Sequence, residues 1–330
     1  MKKLYDVTLR DGNHALRHQL SAEFLIDYCR LAQESDSWAV EVGHGNGLGA
    51  SSYLIGKSLL SDEELLRAAR NHLGKKLLAV HTIPGIATIE RDLKPALDLG
   101  VDVFRVATHA TEASLAERHL EFLATEGVIV HGVLMMSHMN SVEGLVEQAQ
   151  LMVNCGASAI ILMDSAGHFH PQDVQIRVQA LRDNLDVEIG FHAHNNFGLA
   201  VANALAAEQC GATLLDGAAM GLGAGSGNAQ LEALATVTDS GETNHDALEA
   251  FFRLSDLTAR ECEASLPRTT STSLRSGLAG AFSGFAPHVQ RLSEELGVSV
   301  DVLWNEIGKR KIVAGQESIL REIALDLMNL

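Results

Sequence analysis

Residues 128–164, VIVHGVLMMSHMNSVEGLVEQAQLMVNCGASAIILMD, contain two short apolar runs with a helical pattern between them. The runs at 128–135 and 158–164 are rich in Val, Ile and Leu, as buried strands commonly are. Apolar residues recur at helical spacing over 142–156, and the pattern ends in Gly156, a usual stop for a helix. The stretch therefore predicts a strand, a helix and a second strand in succession.

The same alternation extends over most of the chain. Eight apolar runs separated by amphipathic helical patterns match the order and the usual size, about 250 residues, of a (β/α)8 barrel. The predicted strands are 4–9, 38–43, 76–81, 102–108, 128–135, 158–164, 188–194 and 212–219. A doubly wound sheet is the competing α/β architecture. Residues 10–14, RDGNH, lack the glycine-rich turn that follows the first strand of that fold.

Beyond residue 262 the pattern becomes wholly helical. Three segments there have apolar residues at helical spacing, namely 287–297, 299–311 and 317–330. We predict a barrel domain over residues 1–262 and a small helical domain over 263–330. The apolar faces of the second domain are more extensive than a small cap needs, and this predicts a protein interface.

Composition excludes several classes of function. The chain has 330 residues and a net charge of -17, which argues against binding to nucleic acid or to an anionic membrane. The four cysteines are widely scattered without a CxxC pair, as expected for thiols in a reducing compartment. The N-terminus, MKKLYDVTL, enters a strand directly with no apolar leader, so we predict a cytoplasmic protein.

Polar residues concentrate where the predicted strands end, which is where barrel enzymes place their active sites. Any single histidine there could be structural, but the grouping of the set at one rim favours a functional site. Of the 15 histidines, eight lie at or just after a strand end: His14, His44, His81, His109, His138, His168, His192 and His194.

His192 and His194 are the sharpest pair, because alternate residues of a strand face the same side. Asp11, just past the first strand, completes a set of two histidines and one carboxylate. Such a set suits Mn2+, Fe2+, Co2+ or Zn2+ and leaves coordination positions open for a substrate. Asn228, in the glycine-rich stretch 221–232, could be a weak additional ligand or could orient a ligand, and it could also be the N-cap of the last barrel helix, which does not exclude those roles.

Seven motifs recur along the chain, namely TLRDGNHALRHQ (8–19), EVGHGNGLGASS (41–52), PGIATIERDLKPALDLGVDVFRVATHATEA (84–113), LMMSHM (134–139), FHAHNN (191–196), GLGAGSGNAQLE (221–232) and GQESILREIALDL (315–327). Together they resemble the 4-hydroxy-2-oxovalerate aldolases, pyruvate-specific class II aldolases of a metal-dependent lyase superfamily with a TIM-barrel fold. The resemblance spans nearly the whole chain. Related condensing enzymes, the isopropylmalate and homocitrate synthases, typically have an acid or Gln after RDG and HND at the seventh strand, whereas this chain has RDGNH and HNN.

The resemblance implies a reversible cleavage of a 4-hydroxy-2-oxo acid to pyruvate and an aldehyde. It implies Asp11, His192 and His194 as metal ligands, with Mn2+ as the ion and Co2+ as a substitute. It also implies Arg10 as the group that stabilises the enolate and His14 as the base. The residues expected to contact substrate are Arg10, Asp11, Ser165, His192 and Phe282. A homo-oligomer that associates with an acylating aldehyde dehydrogenase is expected for the same reason.

Alternatives remain at this point. The chain could instead condense an acyl-CoA with a 2-oxo acid, or it could be an inactive subunit that only binds the dehydrogenase. Arg10 and Asp11 could form a buried salt bridge, His18 could be the base on spacing alone, and Ser165 could be a turn residue.

Four residues depart from the pattern of the family. Phe282 stands where a tyrosine that reaches over the substrate is usual. His81 and Thr82, in VHTIPG, replace residues that are usually apolar, and Asn46 stands where an aspartate is common. These departures bear on the identity of the aldehyde and on stereochemical control at C4.

Overall fold

Eight parallel strands close into a barrel in chain order, and the first strand pairs with the last. This topology confirms the predicted barrel. The computed structural model describes residues 2–238, 245–313 and 316–328. The strands are β1 Lys3–Asp6, β2 Ser37–Glu41, β3 Leu77–Thr82, β4 Val103–His109, β5 Ile129–Met135, β6 Ala159–Asp164, β7 Glu188–Ala193 and β8 Leu214–Gly217.

Helices surround the barrel and follow it. Those within the barrel region are α1 Gly12–Ala15, α2 Ala22–Ala32, α3 Asp62–His72, α4 Lys94–Asp98, α5 Glu117–Thr125, α6 Val142–Asn154, α7 Pro171–Asn184, α8 Ala200–Gln209, α9 Leu231–Val237 and α10 His245–Glu261. Those that follow are α11 Ser271–Ala279, α12 Ala286–Leu296, α13 Val300–Lys309 and α14 Ile319–Met328. The three helical segments predicted near the C-terminus are confirmed as α12, α13 and α14. None of the described helices has the length and apolar character needed to cross a membrane.

The first strand ends earlier than predicted, and its end shapes the site. Strand pairing stops at Asp6 rather than at residue 9. The Asp6 carboxylate accepts hydrogen bonds from the backbone N–H and the hydroxyl of Thr8, at 2.9 and 2.6 Å, which turns the chain. Arg10 and Asp11 consequently lie in a buried turn, and the following residues form the short helix α1.

Two separate groups of apolar side chains form the principal cores. The larger lies between the barrel and its surrounding helices. The smaller lies within the C-terminal helices and includes Phe285, Trp304, Ile307 and Ile323. A boundary between domains at 262/263 stays a prediction.

Two barrel histidines hold the end of α11 against the barrel mouth. A ring nitrogen of His138 lies 2.9 Å from the carbonyl oxygen of Gly280, and one of His168 lies 2.6 Å from that of Gly277. Asn196 adds a hydrogen bond from its side-chain N–H to the Ser276 hydroxyl, at 2.7 Å. These contacts bring the segment that contains Phe282 over the carboxyl ends of the strands.

Candidate metal centre and active site

Asp11, His192 and His194 come together at the mouth of the barrel. Their potential ligand atoms all lie within 4.8 Å of one another, and all three residues are buried. His192 lies in β7 and His194 follows it by two positions, so both side chains face the barrel interior. Asp11 reaches the same point from the turn after β1 because the first and seventh strands both end at this rim.

The two imidazoles present unpartnered nitrogens. Nδ1 of His192 lies 2.8 Å from Oδ2 of Asp216, whereas its Nε2 is buried and has no hydrogen-bond partner among the residues that the structure describes. Nδ1 of His194 is also buried and unpartnered. Because Asp216 accepts a hydrogen bond from Nδ1, Nε2 of His192 keeps its lone pair available for an ion. This donor set fits a divalent cation.

Asn228 lies beside Asp11 and supports it. Its side-chain N–H groups donate to Oδ1 of Asp11, at 2.9 Å, and to the carbonyl oxygen of Leu222, at 2.8 Å. Its Oδ1 is buried without a partner. The N-cap of α9 is Gln230, so the alternative that Asn228 caps this helix is wrong. A Cβ at Gly223 would lie 2.2 Å from Nδ2 of Asn228, which explains a glycine there.

Arg10 forms the buried salt bridge with Asp11 that was one of the alternatives from the sequence. One nitrogen of its guanidinium still makes no hydrogen bond to the described residues. NH1 lies 2.6 Å from Oδ2 of Asp11, and Nε lies 2.7 Å from Oε2 of Glu41. NH2 is buried without a partner. Burial alone raises the pKa of the Asp11 carboxyl, but the charge of Arg10, with smaller effects of His194 and His192, holds that pKa well below its usual range. Asp11 is therefore ionised, as a metal ligand must be.

A buried network of charges lies beneath the site, and the sequence reading missed it. Arg105 in β4 donates from NH1 and NH2 to the two carboxylate oxygens of Asp216, at 2.7 and 3.2 Å. NH1 of Arg105 also lies 3.9 Å from Oε1 of Glu41. The sequence does contain a sign of this network. A charged residue interrupts each of three apolar runs: Glu41 in WAVEVG, Arg105 in DVFRVAT and Asp216 in ATLLDGAA. Charged residues at interior positions of strands are costly unless they have partners, so their presence indicates a network.

Replacement of Asp216 by Asn tests this network. The amide cannot accept the Nδ1 hydrogen bond in the same way, so His192 loses the group that fixes its tautomer and orientation. We expect Asp216→Asn to weaken Mn2+ binding by about 10–100-fold, measured by titration calorimetry. Asp102→Asn is the matched control, because Asp102 is a carboxylate with an arginine partner, Arg70 at 2.9 Å, and it lies just before the start of β4, at the end of the barrel away from the site. Equal affinities of the Asp216→Asn variant and the control would contradict a positioning role.

His14, rather than His18, lines the cavity beside the cluster of Asp11, His192 and His194. Burial lowers the pKa of His14, which favours the neutral imidazole that a general base requires. His18 stacks on His44 with ring centroids 3.6 Å apart, and its Nδ1 accepts a hydrogen bond from the backbone N–H of Gly45. Burial, reinforced by His14 and His44, lowers the pKa of His18 to about 3.

The cavity has a volume of about 230 Å³ and is polar at the metal cluster and mainly apolar elsewhere. Ser165 lines it and accepts a hydrogen bond through Oγ from the backbone N–H of Met136, at 3.0 Å. Phe282 and Val313 contribute to the wall from the C-terminal segment. His192 is not among the lining residues, so it lies behind the surface that a substrate meets.

Only part of the predicted group of eight histidines belongs to the site. His14, His81, His109 and His194 line the cavity, and His192 lies behind it. His138 and His168 hold α11, and His44 stacks on His18. The common rim was therefore a correct prediction for the set, while the individual roles differ.

Comparison with known proteins identifies two segments. Residues 2–258 match the family model described as HMGL-like, and residues 267–329 match the DmpG-like communication domain. A 4-hydroxy-2-oxovalerate aldolase from Pectobacterium atrosepticum is 48% identical over 98% of this chain and 95% of its own length. One from Spirochaeta aurantia is 47% identical, with the same coverage.

Solved structures share the fold at lower identity. The N-terminal domain of a Bacteroides vulgatus protein provisionally assigned as an aldolase has a TM-score of 0.76 and 24% identity, over 89% of this chain and 98% of its own. The carboxyl transferase domain of Rhizobium etli pyruvate carboxylase has a TM-score of 0.81 and 16% identity, over 99% of this chain and 60% of its own. These structures show the barrel fold alone.

Proposed function

This chain belongs to the HMGL-like family and, within it, to the 4-hydroxy-2-oxovalerate aldolases, and we propose that its barrel mouth cleaves a 4-hydroxy-2-oxo acid to pyruvate and an aldehyde. The chain is thus a carbon–carbon lyase. The observation that carries the assignment of residues is the cluster of Asp11, His192 and His194, with unpartnered ring nitrogens, beside Arg10 and His14.

Asp11, His192 and His194 would hold a divalent cation, and Oδ1 of Asn228 would be a weak fourth ligand. We propose Mn2+ as this ion, with Co2+ as a functional substitute. When bound, the ion supplies a Lewis acid that draws electron density from the 2-oxo group.

Arg10 and Ser165 bind the half of the substrate that becomes pyruvate. NH2 of Arg10 is a buried donor with no partner among the described residues, so it is free to hold the oxygen that becomes negative. Its other nitrogens are held by Asp11 and Glu41, which fixes the guanidinium without rearrangement during the reaction. Ser165, at the end of β6, binds the acid end of the substrate.

His14 moves the proton that drives cleavage. The neutral imidazole removes the proton of the C4 hydroxyl as the C3–C4 bond breaks. The C4 oxygen forms the aldehyde carbonyl, and the electron pair of the broken bond forms the pyruvate enolate, whose oxygen Arg10 stabilises. Protonation of the enolate at C3 then gives pyruvate. The reverse sequence joins pyruvate to an aldehyde.

A pyruvate-release assay with and without Mn2+, using substrates made from aldehydes of graded length, tests the proposed function. We expect cleavage that depends on the ion. The competing Claisen reaction is tested by supplying acetyl-CoA with a 2-oxo acid and measuring free thiol. Thiol release without aldol cleavage would overturn the proposal.

Phe282 lines the cavity and packs edge-on against Phe285, with ring centroids 5.5 Å apart. A phenylalanine has no hydroxyl with which to orient the C4 hydroxyl of the substrate. We therefore expect the unmodified enzyme to cleave both C4 enantiomers, and Phe282→Tyr to add a preference of up to about tenfold with little change in rate. Chiral separation of the substrate that remains after partial cleavage of a racemate measures this. Strong selectivity in the unmodified enzyme would contradict the prediction.

The C-terminal segment is the proposed contact with a second enzyme. Its match to the DmpG-like communication domain supports association with an acylating aldehyde dehydrogenase, and we propose a homo-oligomeric enzyme that forms such a complex in the cytoplasm. Co-expression with a dehydrogenase encoded beside this chain, followed by size-exclusion chromatography with light scattering, tests both features. A monomer that elutes apart from the dehydrogenase would overturn this part of the proposal.

A further inference from the structure

His81 is a polar side chain in the cavity wall that the proposed mechanism does not use. It lies at the next-to-last position of β3, and its side chain is only 3% exposed. Ala79, two residues earlier, packs inside the barrel, so alternation places the imidazole of His81 on the interior side. The residue lines the same cavity as Arg10 and His14.

The imidazole of His81 has hydrogen-bonding capacity that the protein leaves unused. Within the part of the chain that the structure describes, Nδ1 is buried without a hydrogen-bond partner, and it lies 3.8 Å from Oε1 of Glu41, which also accepts no hydrogen bond there. No group among the described residues hydrogen-bonds Nε2 of His81. Burial, reinforced by Arg10 and Arg105, holds the pKa of His81 well below its usual range, so the ring is neutral. The nearby carboxylate favours the proton on Nδ1, and Nε2 is then an acceptor.

The position of β3 in the barrel indicates which half of the substrate His81 meets. In the closed order of eight strands, β3 is four strands from β7 in either direction, so it lies opposite the strand that leads to His194. The pyruvate half is proposed to occupy the side of Arg10, Asp11 and Ser165. The aldehyde half consequently extends toward β3.

Asn46 adds a second polar group to this part of the wall. It lines the cavity, and its side-chain amide has no hydrogen-bond partner among the described residues. The loop that contains it packs on β3, where the backbone N–H of Leu48 donates to the carbonyl oxygen of His81, at 2.9 Å. The rest of the wall includes apolar residues, Ile55, Ile83 and Leu115 among them, and also the polar Thr108 and Glu112. His81 and Asn46 are the polar lining residues that β3 and the loop packed on it contribute.

We propose that His81 accepts a hydrogen bond from a hydroxyl on the carbon next to the aldehyde carbonyl, so that the enzyme selects 2-hydroxyaldehydes and the 4,5-dihydroxy-2-oxo acids formed from them. This inference rests on the proposed aldolase function. The class of aldehyde is inferred from the wall of the cavity. The aldolase function itself is inferred from the cluster of Asp11, His192 and His194.

The test compares condensation of pyruvate with glycolaldehyde and with propanal, which carries a methyl group in place of the hydroxyl. The Mn2+-loaded enzyme and its variants are measured for kcat/KM with each aldehyde. Since the two aldehydes differ in intrinsic reactivity, the change between variants is the diagnostic quantity. We expect His81→Leu to lower kcat/KM for glycolaldehyde about tenfold without lowering that for propanal. We expect His81→Asn, which keeps a polar group at this position, to retain part of the preference for glycolaldehyde over propanal.

His109→Leu is the matched control, because it makes the same substitution in the same cavity at a ring whose nitrogens already have partners. Nδ1 of His109 lies 2.7 Å from the Thr111 hydroxyl, and Nε2 lies 3.5 Å from the sulfur of Met139. We expect this variant to keep the ratio of the two kcat/KM values.

Four results overturn the inference. An equal fall with both aldehydes in His81→Leu would assign His81 to the pyruvate half or to stability. If the ratio of the two kcat/KM values changes only because kcat/KM for propanal rises, His81 acts through its size and not through a hydrogen bond. Absence of condensation with either aldehyde in the unmodified enzyme would overturn the proposed function and this inference with it, whereas activity without the glycolaldehyde effect overturns the inference alone.

Discussion

We expect replacement of His194 by Ala to leave a folded protein that cleaves its substrate far more slowly. The variant removes one of three clustered ligands, so the remaining Asp11 and His192 hold a divalent cation weakly. Lewis-acid stabilisation contributes several kcal/mol to such reactions, and each 1.36 kcal/mol is tenfold, so we expect a loss of at least about 10³-fold. Pyruvate release measures the rate, and calorimetric titration with Mn2+ measures the site.

Chelation of the unmodified enzyme provides the reversible form of the same experiment. Activity should disappear with a chelator and return with Mn2+ or Co2+. His288→Ala is the control variant, since His288 lies on α12, away from the metal cluster. A lysine adduct trapped by borohydride in the presence of pyruvate would show a Schiff-base mechanism and refute the role of the metal.

Replacement of His14 by Ala has the second largest expected effect. Loss of a positioned general base typically lowers the rate by about 10²–10⁴-fold, and we expect kcat of aldol cleavage to fall within that range. Exchange of the pyruvate methyl protons with solvent should fall less, because Arg10 and the metal ligands that stabilise the enolate are unchanged. Proton exchange followed by NMR, beside an assay of cleavage, separates the two steps.

His18→Ala is the matched control for His14. The two rings are neighbours, with centroids 5.2 Å apart, but only His14 lines the cavity. We expect His18→Ala to affect stability through the lost stacking on His44 more than it affects the chemical step. Near-normal cleavage by His14→Ala, together with a large loss in His18→Ala, would reverse the two assignments.

The barrel and the metal cluster could be predicted because their determinants are local. Val-rich and Ile-rich runs alternate with helical patterns, and two histidines at spacing two must share a face of a strand. The charged network beneath could not be predicted in the same way, because Glu41, Arg105 and Asp216 each look like an interruption of an apolar run. Their partners lie on other strands, and only closure of the barrel brings them together.

The choice between neighbouring candidates also depended on tertiary structure. Spacing alone allows either His14 or His18 as the base, and the packing of the loop at Gly45 distinguishes them, since a Cβ there would lie 2.6 Å from the His14 ring.

The predicted end of β1 was wrong because the Asp6 side chain accepts a hydrogen bond from the N–H of Thr8 and so turns the chain. Periodicity carries no information about such a local side-chain bond.

The C-terminal segment supplies Phe282 and Val313 to the wall of the cavity, while His138 and His168 attach it to the barrel. The two parts of the chain are therefore poor candidates for independent exchange by recombination. A chimaera that joins this barrel to the C-terminal segment of a relative would import foreign wall residues along with a foreign docking surface. We expect such hybrids to inherit the choice of substrate together with that of any partner that the C-terminal segment binds.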